Sequence, residues 1–247
     1  MGKKLLLIAS SLLLIFALCS CQNQEAKKIE WKDFSSVQGE MEEYIYNIYN
    51  VSDNKKIGIS TMTVKSNPES NTIDFIATED LKLQDEKDQT FNIVQDMKVT
   101  SSDSYLPLTS ELSLDNNGSI VSLKAEYDYD NNKVNIEAKV NEENQKASAN
   151  IKEPVVDNNQ LLQLIRFLPL EVGYEQLLNN MVVSSASNSP CKVVVTKEET
   201  ITVNNKEIKC YLVELRFTGI IQKCWYSVDK VELIKYQNNK VYYQIDN

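Results

Sequence analysis

Apolar and polar residues alternate along most of the chain with the period of a strand, not of a helix. Met41 to Val51 (MEEYIYNIYNV) is rich in Tyr and Ile, and Ile57 to Lys65 (IGISTMTVK) alternates and is β-branched. Asn67-Pro68-Glu69-Ser70 turns the chain into a third run, Thr72 to Thr78. Phe91 to Thr100 and Tyr105 to Leu114 read as two more strands, with Pro107 pushing the start of the second to an edge or bulge. Ahead of both, within Glu79 to Thr90, the charge-dense QDEKDQ stretch reads as a solvated turn. Asn-Asn pairs then separate alternating runs at 116–117, 131–132, 204–205 and 238–239. Asn tolerates positive φ better than other non-glycine residues, so each pair predicts a two-residue hairpin. Ser119–Asp130 would pair with Lys133–Val140, Lys192–Val203 with Lys206–Phe217, and Val231–Gln237 with Lys240–Ile245. Thr218-Gly219 closes a further hairpin into Ile220–Val228. The result is an antiparallel meander.

One segment breaks the period. In Asp157 to Leu168 (DNNQLLQLIRFL), Leu161, Leu164, Ile165 and Leu168 fall at helical spacing, Asp157 is placed to cap, and Pro169 stops the run. This predicts one short covering helix around 158–168. In the hairpin strand Lys209–Phe217, Tyr211, Val213, Leu215 and Phe217 share one apolar face, which must be covered. The helix is the best cover. Core packing is its simplest role; a plug in the mouth of a curved sheet, able to move aside for a ligand, is the sharper one.

The first residues obey another logic. Lys3 and Lys4 precede an apolar run from Leu5 to Leu18, and the segment closes on Leu18-Cys19-Ser20-Cys21. This is an export signal. At ~1.5 Å per helical residue the run reaches about 21 Å, short of a roughly 30 Å hydrocarbon core. Its ending resembles the bacterial lipoprotein box, in which the cysteine is lipidated and becomes the new N-terminus. That resemblance implies a signal peptide over 1–20, a lipid anchor on Cys21 and a polar tether over 21–39. It places a β-rich exported domain over 40–247, on the extracytoplasmic side of the cell membrane. Two or more acyl chains, each buried methylene contributing about 0.8 kcal/mol, give stable attachment to the bilayer.

Charge and composition narrow the chemistry. The chain has 26 basic and 35 acidic residues. Lys3 and Lys4 leave with the signal, so the mature protein carries 24 against 35, a net charge near −11. Without a basic footprint, nucleic acid and anionic headgroups are poor partners. The chain has no histidine, which excludes Ser-His-Asp and Cys-His catalysis and His-ligated zinc. The few glycines form no phosphate-cradling loop. Cys191, Cys210 and Cys224 have no metal-knuckle spacing and read first as small buried side chains, with one disulfide left open. Ser52-Asp53-Asn54-Lys55 and Ser227-Val228-Asp229-Lys230 match S-x-x-K without its helical setting, and Asp128 to Asn132 imitates the start of a calcium loop but carries Lys133 where glycine is needed. No catalytic residue, metal or cofactor is implied.

IGISTMTVK, VVDNNQLLQLIRFLPLEVG and a hairpin ending in CWYSVDK are similar to a family of exported bacterial domains of unknown function. The resemblance covers most of Asn50 to Gln244 and departs where a proline usually follows the Trp segment. It implies the open half-barrel of the periplasmic lipoprotein carriers and supplies no catalytic residues. The expected fold is therefore mostly β, a single curved antiparallel sheet with one short covering helix. A hydrophobic ligand would then lie against Leu161, Leu164, Ile165 and Leu168 on one side and Tyr211, Val213, Leu215 and Phe217 on the other. The alternative is an envelope scaffold with a filled core that meets a protein partner.

Overall fold

The computed structural model describes residues 29, 31–32, 41–84, 90–140 and 143–246. The alternating runs become strands of one 15-stranded sheet. Its first half is β1 (Met41–Asn50), β2 (Lys56–Asn67), β3 (Thr72–Gln84), β4 (Thr90–Ser102), β5 (Pro107–Asn116), β6 (Ser119–Asp128), β7 (Lys133–Val140) and β8 (Glu143–Asn150). Each pairs antiparallel with the next. The chain then crosses to the opposite edge, where β9 (Val155–Asp157) runs parallel to β10 (Glu175–Val182). From there β11 (Ser187–Val203), β12 (Lys206–Phe217), β13 (Ile220–Ser227), β14 (Leu233–Gln237) and β15 (Val241–Ile245) step back until β15 lies antiparallel to β1. The sheet is mostly an antiparallel meander, curved and unclosed, with β8 and β9 at its two edges.

Turn chemistry follows the Asn pairs with corrections. Asn204 and Asn205 both have positive φ (50° and 62°), which is the twist a two-residue hairpin needs. At the first pair the turn sits one residue later, on Asn117 and Gly118 (φ 50° and 86°), where glycine removes the Cβ penalty. The β6–β7 connection takes four residues and only Asn132 is left-handed. At 238–239 neither residue has positive φ; the Asn238 carboxamide oxygen instead accepts the N–H groups of Lys240 (2.8 Å) and Val241 (2.9 Å). Pro107 opens β5 beside a register shift between Thr100 and Ser101, as a proline in a ladder requires.

The helix is shorter than its pattern. α1 spans Leu161–Leu164 and tightens into a 3-10 turn over Ile165–Phe167. Asp157 does not cap it: Asp157 ends β9 opposite Met181, and its carboxylate accepts the Asn159 N–H (2.8 Å) and the Tyr127 hydroxyl (2.6 Å). The predicted stripe is nonetheless buried in full, at Leu161, Leu164, Ile165 and Leu168.

Two apolar clusters fill the curve of the sheet. The larger gathers β1–β4 and β11–β15 around α1; the smaller joins β5–β7 to Val155, Met181 and Val183. A polar seam lies between them. Ser101 donates to Gln160 (2.6 Å), Asn159 to Ser110 (3.4 Å), and Asn180 to Asn158 (3.0 Å). Buried groups of this kind hold their places because leaving one unmade costs about 1–3 kcal/mol.

Of the stretch expected as a polar tether over 21–39, the described residues 29, 31 and 32 contact the domain. Ile29 and Trp31 pack against the larger cluster, the Lys32 N–H donates to the Phe167 carbonyl (2.7 Å), and the Tyr105 hydroxyl donates back to the Lys32 carbonyl (3.2 Å). An indole face explains it: Trp31 lies 5.1 Å from the Tyr105 ring, and burying an aromatic side chain outweighs the freedom of a linker. The signal, Cys21 and the 85–89 part of the charged turn lie outside the described residues.

Candidate functional site

The structure brings the eight expected pocket residues together, but as core. Leu161, Leu164, Ile165 and Leu168 belong to the same cluster as Val213, Leu215 and Phe217, with Tyr211 half-buried beside them. The gap left beside α1, between Tyr46, Met62, Leu162 and Leu233, is about 10 Å³. That is about one water-sized sphere, against roughly 300–1,000 Å³ for ligand pockets. None of the eight residues lines a cavity formed by the described residues, where the helix packs against the strand face.

The helix is pinned as well as packed. Arg166 pairs with Glu42 at 2.5 Å and reaches the Tyr44 hydroxyl at 3.4 Å, with its guanidinium over the Tyr44 ring. Burial pulls the Arg166 pKa down, but the charges of Tyr44 and Glu42 outweigh it and hold the guanidinium firmly protonated. Tyr226 donates to the Leu162 carbonyl (2.6 Å) and Gln163 to the Ile76 carbonyl (3.2 Å).

A sizeable open space lies on the other face. A trough of about 620 Å³ runs across β3 to β8. Its wall on β3 is Ile76 and Thr78, without the intervening Ala77, which points into the core. The trough therefore lies on the outward side of the sheet. Two rows of side chains frame it, both set by register. One is a charge ladder, Lys98–Glu111–Lys124–Glu137–Lys146, in which each residue faces the next across a strand pair. The other runs through Thr78, Asp96, Ser113 and Ser122, and its short side chains leave the space.

Ion pairs tie the ladder together and to its flanks. Lys146 meets Glu137 at 2.6 Å, Lys124 meets Glu126 at 3.0 Å, and Lys98 meets Asp74 at 3.0 Å. The hydrogen bond from Lys146 holds the Glu137 carboxyl below the usual range, and the one Lys124 donates to Glu126 pushes the Lys124 pKa up. Burial favours the neutral form of Asp74, yet hydrogen bonds from Thr100, Lys98 and Asn67 outweigh it and lower its pKa. The sequence reading missed this surface. The signal was present: Lys98, Glu111, Lys124 and Glu137 alternate in sign at steps of thirteen residues.

Other chemistry-bearing groups are scattered. Glu79 is buried, accepts the Tyr243 hydroxyl at 3.0 Å, and is pushed by burial to about 7. Asp157 is likewise raised by burial, against the bond from Tyr127. Cys191, Cys210 and Cys224 are free and buried on strands, and burial pushes the Cys210 thiol up to about 12. Of the S-x-x-K serines, Ser52 sits in the β1–β2 turn bonded to Asn50, and Ser227 accepts the Glu232 N–H. Asp128 binds Asn131 through both carboxylate oxygens and shapes a hairpin turn. Among the described residues no group of three Cys, Asp or Glu is arranged to hold a metal ion, and no helix is long and apolar enough to cross a membrane.

Comparison with known proteins agrees with the architecture. A crystal structure of a beta-barrel-like protein of domain of unknown function DUF1849 from Brucella abortus superposes with a TM-score of 0.56. The match covers 83% of this chain and 95% of that one at 8% identity, which speaks for the fold alone. No curated protein matches the sequence. Residues 45–244, almost the whole of the sheet from β1 to β15, match the family described as protein of unknown function (DUF3108), and the chain belongs to that family.

Proposed function

We propose that this protein is a non-catalytic interaction module, held at the extracytoplasmic face of the cell membrane by acyl chains on Cys21, which meets an envelope protein with its outer sheet surface. The observation that carries the reading is the filled interior: α1 leaves about 10 Å³ beside it, whereas the outward trough offers about 620 Å³. An acyl chain or hydrophobic peptide could enter only after the helix left, which would break the Arg166–Glu42 pair and the Tyr226 and Gln163 bonds.

The docked N-terminal segment supports an anchored geometry. Seven residues lie between Cys21 and Ile29, and the steps from one to the other, at about 3.5 Å each, span at most about 28 Å. The pole of the domain that carries Tyr105 and Phe167, where Trp31 and Lys32 dock, is then held close to the bilayer. The ladder surface stays free for a partner.

The test is the Cys21→Ser variant purified from cells and examined by native mass spectrometry. The interaction reading expects no stoichiometric lipid in the released protein. Lipid that copurifies one to one, and is lost in a variant that closes the interior further, would replace it with a carrier for hydrophobic ligands.

A further inference from the structure

The two edges of the sheet are unlike. β9 is three residues long and fully buried, so a further strand cannot reach it. β8 is eight residues long, ENQKASAN, and all but Ala149 are exposed. One side of β8 pairs with β7, and among the described residues no strand lies along the other.

Register decides what that open side presents. Val140 stands opposite Glu143 across a two-residue connection. In such hairpins the closing pair exchanges both main-chain bonds, and bonding then alternates along the strand. Glu143, Gln145, Ala147 and Ala149 therefore bond to β7, while Asn144, Lys146 and Ser148 turn their N–H and C=O groups outward. Asn150 shares this phase, and its carbonyl accepts from the Asn188 side chain at 2.8 Å.

The side chains add a preference to this bare template. The charge ladder ends on β8 with Lys146, which faces Glu137 on one side only. Lys124 shows the completed arrangement, a cation between Glu111 and Glu137. On the inward face, Ala147 and Ala149 continue the smaller apolar cluster, against which Ala149 packs, to the edge of the sheet. We propose that β8 docks an extended segment of an envelope protein as an added strand, with a carboxylate opposite Lys146 and small apolar residues flanking it over the alanines. Main-chain bonds supply the attachment and the Lys146 pair supplies the choice of register. The proposal rests on the interaction reading above and names its surface and the partner's chemistry.

The test uses the full chain in detergent micelles, titrated by fluorescence anisotropy with labelled Val-Thr-Val-Asp-Val-Thr-Val and with the same peptide carrying Lys in place of Asp. The Asp peptide should bind, and the Lys peptide about fivefold more weakly, the size of one cross-strand charge pair. Lys146→Glu should reverse that order. Ser148→Pro removes an N–H from the open side only, so it should bind neither peptide while its circular dichroism and melting temperature stay those of the parent. Failure of both peptides to bind, equal binding of the two, or binding retained in Ser148→Pro overturns the proposal. A photocrosslinking residue placed at Lys146, or separately at Ser113 in the trough, tells the two levels apart in native membranes. An adduct at Lys146 that disappears in Ser148→Pro supports the edge. Adducts at Ser113 alone overturn the edge and keep the interaction reading, and adducts at neither overturn both.

Discussion

The sheet around α1 and the sheet from β5 to β8 share one backbone pattern and differ in what their charges experience. Around α1, Arg166, Glu42 and Glu79 sit among apolar neighbours, and the tyrosines beside them are pushed well above their ordinary range by burial. Along the ladder, Glu111, Lys124, Glu137 and Lys146 face one another exposed to solvent. A charge in the first region changes the stability of the fold, since desolvation is costly there. In the second it changes almost nothing about stability and much about which charged partner is welcome. The same two residue types, Lys or Arg with Glu, are structural in one half and free for recognition in the other.

Substitutions that deepen or erase this contrast can be ranked. Leu164 is fully buried in the filled interior, so Leu164→Ala should cost about 3–4 kcal/mol in urea unfolding. A loss below about 1 kcal/mol would mean that the helix is a loose plug. Glu79→Gln should act with the opposite sign and only at higher pH. Burial raises Glu79 from 4.5 to about 7, so the folded state holds a proton that the unfolded state has released. Wild-type stability should therefore fall as pH rises from about 4.5 to 7 and stay level above that. Glu79→Gln lacks this penalty, and its advantage should grow from near zero at pH 4 to about 3 kcal/mol at pH 8. Melting temperatures that track each other across that range would show that Glu79 ionises freely in the fold.

Smaller effects belong to the outer face. Lys124→Ala should leave the urea midpoint where it is in the parent, because Lys124 and Glu126 are both solvated. Amide hydrogen exchange should separate the regions without any mutation. β8 buries almost nothing and should exchange through local opening, while β12 should exchange only with global unfolding. Comparable protection of both strands would remove the distinction.

Much of the strand pattern was legible because half-buried strands write their burial into alternation. The pairing of Tyr211 with Tyr226 and Val213 with Cys224 followed from one hairpin at Thr218-Gly219. β8 was not legible: ENQKASAN has little apolar rhythm, since of its residues only Ala149 is even partly covered. The reading of Asp157 as a helix cap failed because a capping residue and an Asx turn after a strand use the same side chain, and only tertiary pairing with Met181 separates them. What, if anything, separates α1 from the β12 face was not legible for a related reason. An apolar stripe and an apolar strand face predict contact with each other, but not whether anything lies between them. The ladder needed the register of every hairpin from β4 to β8 before thirteen-residue spacing could be recognised as adjacency.

The neighbouring of β1 and β15 has its own outcome. Ribosomes deliver Tyr46 long before Val241, so one flank of β1 stays bare until the last strand emerges. A nascent chain in that interval is a sheet with an extra sticky border, and a chaperone must shield it or it will zip to a sister molecule. Premature termination ahead of Val241 would lock the protein in that juvenile state, turning a loss of only a few residues into an aggregation hazard.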